Sequence, residues 1–282
     1  MPQASMQTVL QSRGDGAVGA FNVILIEHAE ALVTAAEAAQ LPIILQLSEN
    51  CIKYHGRPDA IVAATLAIAR SASTDVVVHL DHASNEELVR SVVALGVDSV
   101  MFDASTSPYE ENVARTKALT AWGHERGVSM EAEIGEVGGK DGVHAPGIRT
   151  DPAEAAAFAA ATNVDLLAVA VGSSHAKAER DLAVDVDLIE RIAATVPLPL
   201  VLHGSSSLDD AQLQAAVRAG MAKINISTHV NSLFTNEVRR VLGDSERLSD
   251  PRKYIGPARS IMAQETERLL RLLAQPTGVL TA

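Results

Sequence analysis

Residues 59–102 read DAIVAATLAIARSASTDVVVHLDHASNEELVRSVVALGVDSVMF, and the pattern in this stretch decides the fold. Segments 59–71 and 85–95 repeat apolar residues with the 3.6-residue period of a helix, whereas 76–80 and 98–102 are short apolar runs typical of strands. Each helix is long enough to cross back over a sheet. The stretch therefore predicts parallel strands joined by crossover helices.

The same alternation extends along the chain in both directions and predicts eight strands. These lie at 18–23, 43–47, 76–80, 98–102, 128–134, 165–171, 199–202 and 222–226. Helical patterns lie at 27–40, 59–71, 85–95, 109–126, 152–161, 187–195 and 209–219. Strands that are apolar throughout are covered on both faces, and eight strand–helix units are the number that closes a barrel. We predict an α/β fold of the (β/α)8 TIM barrel type, with an open doubly wound sheet as the alternative.

Two further helical patterns, at 229–242 and 250–274, follow the eighth strand and predict a C-terminal helical extension. No low-complexity linker interrupts the chain, so we expect one domain over residues 1–282. The segment 135–150, GEVGGKDGVHAPGIRT, holds five glycines and one proline and is the one long irregular loop of the pattern. Long loops of this kind are commonly functional.

Composition and charge argue against several classes of partner. The formal net charge is −12 and only 3% of residues are aromatic, so neither attraction to phosphate backbones nor stacking on bases is expected, and nucleic acid is not a predicted partner. A membrane helix needs about 20 apolar residues, and no run approaches that length, so no membrane partner is expected. Cys51 is the single cysteine and no secretion signal is recognisable, which favours a cytoplasmic location.

Three histidines stand where a TIM barrel places its active site, which is at the C-terminal ends of the strands. His82 follows the third strand, His175 the sixth and His203 the seventh. Three neutral imidazoles with one open coordination position are the ligand set of a catalytic zinc ion. The sequence therefore predicts a metal held by these three side chains.

Carboxylates lie on the same rim. Asp81 immediately precedes His82, where a group that transfers protons beside the metal belongs. Asp103 follows the fourth strand and Glu133 ends the fifth, so both are candidates for partners of the histidines or for alternative metal ligands. His79, inside the third strand, is expected to be structural.

Small polar segments after the last strands are suited to an anion. Gly172-Ser173-Ser174 follows the sixth strand, Gly204-Ser205-Ser206-Ser207 the seventh, and Asn225-Ile226-Ser227-Thr228 ends the eighth. Backbone N–H groups and hydroxyls in such loops bind phosphate, and the loops after strands seven and eight are the usual phosphate site of barrels. Nucleotide binding has no support, because neither a Walker A sequence nor a GxGxxG fingerprint is present.

Ten runs spread over nearly the whole chain resemble class II, zinc-dependent ketose-bisphosphate aldolases, in the branch with fructose- and tagatose-bisphosphate aldolases. They are GAFNV (19–23), QLSEN (46–50), HLDHAS (79–84), SVMFDAS (99–105), EENVARTK (110–117), EAEIGEVGGKDGV (131–143), AVGSSH (170–175), LHGSSSL (202–208), AKINIST (222–228) and DPRKYIGPAR (250–259). The resemblance implies reversible cleavage of a ketose (bis)phosphate to dihydroxyacetone phosphate and an aldehyde. Fructose 1,6-bisphosphate and tagatose 1,6-bisphosphate are the implied substrates.

The resemblance also implies a role for individual residues. His82, His175 and His203 match the zinc ligands, Asp103 and Glu133 match carboxylates of an alternative metal position, and Asp81 matches the acid that exchanges a proton with the oxygen on the aldehyde carbon. Residues matching the substrate contacts are Asn22, Ser48, Gly172, Gly204, Ser206, Asn225, Ser227 and Thr228. A monovalent cation is implied beside the phosphate. Arg252 matches an arginine that reaches into a neighbouring subunit to hold the second phosphate, which implies a homodimer or homotetramer.

Two departures from the family pattern stand out. The loop GGKDG (138–142) is one residue shorter than is usual, and Asp141 takes the place of a glutamate that transfers a proton. The run His203-Gly204-Ser205-Ser206-Ser207 replaces two glycines of the usual phosphate loop. These departures keep open a sugar-phosphate-binding barrel without catalysis. A Schiff-base aldolase that uses Lys223, on the eighth strand, is the other alternative.

Overall fold

Eight parallel strands close into one barrel in the computed structural model, which describes residues 4–134, 149–172, 184–244 and 247–275. The strands are β1 (Val18–Asn22), β2 (Ile43–Ser48), β3 (Val76–Ala83), β4 (Ser99–Phe102), β5 (Ser129–Glu133), β6 (Leu166–Ala168), β7 (Leu200–Leu202) and β8 (Met221–Ile226). They pair in chain order, and β1 pairs with β8 to complete the ring. The predicted TIM barrel is confirmed, and the closed ring excludes the open doubly wound sheet.

Helices surround the barrel, and most of them occupy the positions that the periodicity predicts. They are α1 (Met6–Ser12), α2 (Ile26–Ala39), α3 (Glu49–His55), α4 (Asp59–Ser71), α5 (Glu86–Ala94), α6 (Tyr109–His124), α7 (Pro152–Thr162), α8 (Val186–Thr195), α9 (Asp210–Ala219), α10 (Thr228–Gly243) and α11 (Arg252–Ala274). The predicted C-terminal extension is present as α10 and α11, which pack on each other, with α11 also packed on α2. Among the described residues, no helix combines the length and apolar character that a membrane span requires.

Two helices, α1 and α3, are absent from the sequence prediction because each is only seven residues long and shows little apolar periodicity. Helix α1 buries Met6, Val9 and Leu10 against residues that fill the barrel interior, including Ile44 and Val77. It therefore closes the N-terminal end of the barrel. Helix α3 begins directly after β2, where it borders the opposite end.

Strand β3 is longer than the predicted run 76–80 and carries both Asp81 and His82 within the sheet. Leu80 pairs with Val100 but Ala83 pairs with Phe102, so the register shifts between them as in a β-bulge. His82 lies at this irregularity with φ of 47°, in the left-handed region that non-glycine residues rarely adopt. Bulges redirect side chains next to active sites, and this one sets the direction of the His82 ring.

Candidate active site

A cavity of about 540 Å³ opens at the carboxyl end of the barrel. Of the predicted site residues, those that line it are Asn22, Ser48, Asp81, His82, Asp103, Gly204, Ser206, Asn225, Ser227 and Thr228. They come from strands and loops distributed around the ring, and parallel strands bring their carboxyl ends to one face. The tertiary structure therefore brings most of the predicted residues into a single site.

Two imidazoles meet over the centre of the barrel. In the ring of eight strands, β3 and β7 lie across from each other, yet His82 Nε2 and His203 Nδ1 are 2.9 Å apart. The ring centroids are separated by 4.7 Å and the ring planes are nearly perpendicular, at 82°. The two nitrogens thus face each other at hydrogen-bond distance.

The outer nitrogen of each ring is held by a carboxylate. His82 Nδ1 donates to Asp103 Oδ2 at 2.8 Å, and His203 Nε2 donates to Glu131 Oε1 at 3.1 Å. Asp103 is itself fixed, because Oδ1 accepts hydrogen bonds from the backbone N–H and hydroxyl of Ser105 at 3.1 and 2.6 Å. Histidines that bind metals are oriented by carboxylates in this manner. The arrangement fits the prediction that Asp103 is a hydrogen-bond partner of His82. The role of Asp103 as an alternative metal ligand stays a prediction.

Asp81 is buried beside the two rings. Asp81, His82 and His203 each offer a ligand atom within 4.8 Å of the others, so they form one group able to hold a metal ion. The amides of Gln46 and Asn22 donate to the two Asp81 oxygens at 3.1 and 3.4 Å. Burial opposes ionisation of Asp81, but the charges of His82, His203 and Lys223 outweigh it and lower the pKa of the carboxyl. Asp81 is therefore a carboxylate with a fixed orientation.

A second group able to hold a metal ion consists of His82, Asp103 and Glu133. Burial raises the pKa of Glu133 to about 8, and the charge of Asp103 adds to the effect. Burial also lowers the pKa of His82, but Asp81, Asp103 and Glu133 outweigh it and raise that pKa to about 10. His82 belongs to both of the groups able to hold a metal ion.

Glu131 is a site residue that the sequence interpretation missed. Its side chain is fully buried, and Oε2 accepts a hydrogen bond from Lys223 Nζ at 2.7 Å while Oε1 accepts from His203. Burial opposes its ionisation, but Lys223 and His203 hold the pKa of Glu131 well below its usual range. One signal in the sequence could have identified Glu131. It lies two residues before Glu133, and residues two apart on a strand share a face, so Glu131 is expected on the same side of β5 as the predicted site residue.

Lys223 and His79 are buried next to Glu131 in the same cluster. A Schiff-base lysine must reach the substrate as a neutral amine, whereas Lys223 is fully buried, is bonded to Glu131 and does not line the cavity. The geometry does not support the Schiff-base alternative. His79 is also fully buried and is hydrogen-bonded through Nδ1 to Ser99 Oγ at 2.8 Å, which agrees with its predicted structural role.

The predicted phosphate loops converge after β7 and β8. Gly204 adopts φ of 67° and precedes a 3₁₀ turn over Ser205–Ser207, so the position that requires glycine is retained. The Ser205 hydroxyl donates to the carbonyl of Asn225, and the backbone N–H of Ser227 donates to Ser206 Oγ at 3.3 Å. These contacts join the two loops into one polar surface. Gly172 has φ of 104° and is absent from the residues that line the cavity.

Six predicted residues are not among those that line the cavity, and three of them, Gly172, His203 and Glu133, are described above. His175 and Asp141 lie outside the described residues, and their roles stay predictions. Arg252 begins α11, and its side chain is 88% exposed and paired with Asp250 through contacts of 3.0 and 2.9 Å. A role for Arg252 in a neighbouring subunit's site also stays a prediction.

Five further residues line the cavity that the sequence interpretation did not assign to the site: Glu49, Asn50, Lys53, Ser84 and Thr106. The first three belong to α3, the helix missed in the sequence. Without that helix, no pattern in the chain indicates that these side chains face the cavity. They extend the site to the side of the barrel above β2 and β3.

Paired imidazoles and carboxylates at the carboxyl end of a closed parallel barrel define a TIM-barrel enzyme with side chains able to hold a metal ion. A sequence profile of the family described as fructose-bisphosphate aldolase class-II matches residues 5–276. The chain belongs to this family. It is an aldolase, a carbon–carbon lyase that acts on a ketose phosphate, and the family is generally metal-dependent.

Individual relatives agree with the family. The chain is 38% identical over 270 residues to the fructose-bisphosphate aldolase of Staphylococcus aureus (strain Mu50 / ATCC 700699), covering 94% of each chain. It is 38% identical over 265 residues to the fructose-bisphosphate aldolase of Geobacillus stearothermophilus, covering 92% of each. Among solved structures, the YdjI aldolase from Escherichia coli K12 is similar with a TM-score of 0.82 and 26% identity, over 96% of this chain and 97% of that one.

Proposed function

We propose that this aldolase reversibly cleaves fructose 1,6-bisphosphate to dihydroxyacetone phosphate and an aldehyde, with a zinc ion at the site. The observation that carries the proposal is the pair of nitrogens of His82 and His203, 2.9 Å apart beside the carboxylate of Asp81. The names of the relatives from Staphylococcus aureus and Geobacillus stearothermophilus support fructose bisphosphate as the substrate. Tagatose 1,6-bisphosphate, which differs only in configuration at one carbon, is the second candidate.

The residues present fit a zinc ion. His82 Nε2 and His203 Nδ1 would bind it, because the opposite nitrogen of each ring already contacts a carboxylate. His175 would supply the third imidazole, and an open position would remain for substrate. When bound, zinc supplies a Lewis acid that draws electron density from the ketose carbonyl. Asp103 and Glu133 would hold the ion in an alternative position with His82.

Asp81 would take up the proton in the cleavage direction. As the bond between C3 and C4 breaks, the C4 hydroxyl transfers its proton to the Asp81 carboxylate and becomes the aldehyde carbonyl. The bonding electron pair stays on C3, which then takes a proton that we assign to Asp141. The amides of Gln46 and Asn22 hold the Asp81 carboxylate in place for this transfer.

The loops after β7 and β8 would bind the phosphate of the dihydroxyacetone phosphate half. Gly204, Ser206, Ser227 and Thr228 line that side of the cavity, and Asn22 and Ser48 would contact the sugar. Gly172 follows β6 and is not among the lining residues, so its contact with the phosphate stays a prediction. Helix α10 begins at Thr228, and helix N-termini favour phosphate. Asn225 Oδ1 is buried and has no hydrogen-bond partner among the described residues. An orphaned amide oxygen suits a monovalent cation beside the phosphate.

The oligomeric state, the domain organisation and the location of the enzyme are also proposals. We infer a homodimer or homotetramer in which Arg252, exposed on each subunit, reaches the neighbouring site. One domain over residues 1–282 and a cytoplasmic location remain part of the proposal. The single cysteine, Cys51, is buried, and burial raises the pKa of its thiol to about 11, which suits a structural side chain that forms no disulfide.

A coupled assay with fructose and tagatose bisphosphates tests the substrate and the metal together. We expect cleavage of the fructose compound to be lost on chelation and restored by zinc, with no adduct trapped by borohydride.

His82→Ala and His203→Ala should each lose stoichiometric zinc, because two imidazoles are too few for a catalytic site. Full zinc content in both variants would refute the ligand assignment. Tight binding of zinc and sugar phosphate without cleavage would favour a non-catalytic barrel instead.

A further inference from the structure

The proposed phosphate site depends on the starts of two helices. Helix α9 begins at Asp210, shortly after the turn Ser205–Ser207, and α10 begins at Thr228, shortly after β8. Ser206, Ser227 and Thr228 all line the cavity, so groups from two separate loops must stay together to bind one phosphate. Hydrogen bonds weaken steeply when their angle is poor. The relative position of the two helix starts therefore affects the affinity for phosphate.

A chain of polar contacts on the outer side joins these two helix starts through α11. His229, in the first turn of α10, donates from Nε2 to Glu265 Oε1 at 2.7 Å. Glu265 accepts two further hydrogen bonds, from Arg268 Nη2 at 2.8 Å and Nε at 2.9 Å. Arg268 Nη1 then donates to Asp210 Oδ2, on α9, at 2.6 Å. We call these four residues the brace, since they connect α10 to α9 by way of two side chains of α11.

Arg268 is the centre of the brace. Two nitrogens of its planar guanidinium face the Glu265 carboxylate and the third faces Asp210, and such a fork fixes direction as well as distance. The hydrogen bonds from Arg268 and His229 outweigh burial and lower the pKa of Glu265, so this carboxylate stays ionised. Exposed ion pairs contribute little to stability. The effect of the brace is therefore expected in the position of the loops more than in the free energy of unfolding.

The contacts between the two loops on the cavity side are uncharged. The Ser205 hydroxyl donates to the carbonyl of Asn225, and the Ser227 N–H donates to Ser206 Oγ at 3.3 Å. The brace adds charged contacts to these on the opposite side of the same loops.

We propose that Glu265 and Arg268 are positioning residues for the substrate phosphate. They do not line the cavity, and they act by holding the starts of α9 and α10 at the spacing that one phosphate requires. This inference rests on the proposed function, because the phosphate site at these loops is part of it.

Arg268→Met tests the brace, since it removes the link between α11 and α9 and keeps an apolar side chain of similar length. Binding of dihydroxyacetone phosphate alone to the zinc-loaded enzyme is measured by calorimetry, and cleavage of fructose 1,6-bisphosphate gives KM and kcat. We expect the Kd and the KM to rise about 3- to 30-fold, as is usual for residues that act on a site through others. The kcat should change less than about twofold, because the phosphate is bound equally before and during the reaction.

Arg271→Met is the matched control. Arg271 lies on the same helix, is 54% exposed against 45% for Arg268, and is likewise bonded to a glutamate of α11, Glu267. Its other contact, at 2.9 Å, is the carbonyl of Ala38 on α2, which is not connected to a phosphate loop. Arg271→Met should therefore lower the melting temperature by as much as Arg268→Met does, while the Kd and KM stay at the wild-type values.

Two further variants test whether Arg268 and Asp210 act as one link. Asp210→Ala breaks the same contact from α9 and should raise the Kd by as much as Arg268→Met. The double variant Arg268→Met/Asp210→Ala should bind no more weakly than either single variant, because residues in contact are not additive. Glu265→Gln should weaken binding in the same direction, whereas Glu267→Gln should not.

The outcomes separate this inference from the function on which it rests. If the wild type binds dihydroxyacetone phosphate and cleaves the bisphosphate, but Arg268→Met matches the wild type or Arg271→Met in Kd, the brace is overturned and the proposed function stands. Additive effects of Arg268→Met and Asp210→Ala would also overturn it. If the zinc-loaded wild type neither binds dihydroxyacetone phosphate nor cleaves the bisphosphate, the proposed function fails and the brace fails with it.

Discussion

At the scale of single residues, Glu131 connects three buried side chains of the site. One carboxylate accepts hydrogen bonds from Lys223 and His203, and its Oε2 lies 3.6 Å from His79 Nε2. Removing one partner of a buried ion pair leaves the other charge without compensation and is strongly destabilising. Glu131 therefore couples the stability of the barrel interior to the orientation of a predicted metal ligand.

Replacing Glu131 with Gln should lower both the stability of the protein and its affinity for zinc. We expect the free energy of unfolding to fall by about 3–5 kcal/mol, since Lys223 is left buried without a counter-charge. Zinc affinity should fall about 10- to 100-fold, because His203 loses its charged acceptor. Denaturant unfolding of the metal-free protein and zinc titration measure the two effects. The double variant Glu131→Gln/Lys223→Met should regain stability without regaining zinc affinity, and unchanged affinity in the single variant would contradict the orienting role.

Asp81→Asn separates proton transfer from metal binding. The amide is nearly isosteric, but it has no carboxylate to accept the proton, so we expect kcat to fall about 10²- to 10⁴-fold. Zinc content should stay at the wild-type level, because both histidines and their carboxylate partners remain. Metal analysis and the cleavage assay are run on the same preparation. A loss of activity below about tenfold with full zinc would show that Asp81 is only a structural neighbour of His82.

At the scale of elements, the C-terminal helix α11 is docked on the chain just before β1. The N–H of Ala17 donates to the carbonyl of Leu273 at 2.9 Å. A Cβ atom added to Gly16 would lie 2.6 Å from the carbonyl oxygen of Ala274. Since the obstructing atoms belong to backbone, they cannot move aside as a side chain would. The glycine is required by the close approach of α11.

Gly16→Ala should therefore loosen the end of α11. We expect a decrease of about 1–3 kcal/mol in the free energy of unfolding, as is typical of overpacking. Gly256→Ala is the matched control, because it lies within α11 and a Cβ atom there would have no neighbour within 4 Å. That change should stabilise the protein by up to about 1 kcal/mol through helix propensity. Equal stabilities for the two variants would show that α11 does not pack closely against the start of β1.

At the scale of the whole molecule, the predicted role of Arg252 requires a second subunit. We expect Arg252→Ala to lower kcat/KM for the bisphosphate by about tenfold or more while the oligomer persists. If the arginine acts across an interface, a mixture of Arg252→Ala and Asp81→Asn subunits should recover activity, because hybrid assemblies contain one intact site. Sedimentation and the cleavage assay measure both. A fully active monomer, or no recovery in a mixture shown to exchange subunits, would contradict delivery from a neighbour.

The barrel could be predicted from sequence because its signals are local. Periodicity along 59–102 distinguishes strand from helix within a few residues, and eight repeats of the unit imply closure. The alternation of strands and helices also places His82 and His203 at the carboxyl ends of strands, where a TIM barrel has its active site, without any knowledge of what they contact. The short helix α3 escaped prediction, since seven residues give too little periodicity, and with it the cavity-facing position of Lys53 was missed.

The sequence by itself determined the order of strands and helices, the end of the barrel at which the active site lies, and the family. Only the tertiary structure decided which groups meet there. Glu131 and Glu133 share one face of β5, and the closed barrel brings the carboxylate of Glu131 within hydrogen-bond distance of the His203 ring. His82 meets His203 because an irregular register in β3 turns its side chain toward the barrel axis. Such contacts join residues far apart in the chain, so they depend on the geometry of the closed sheet and leave no pattern in any local stretch.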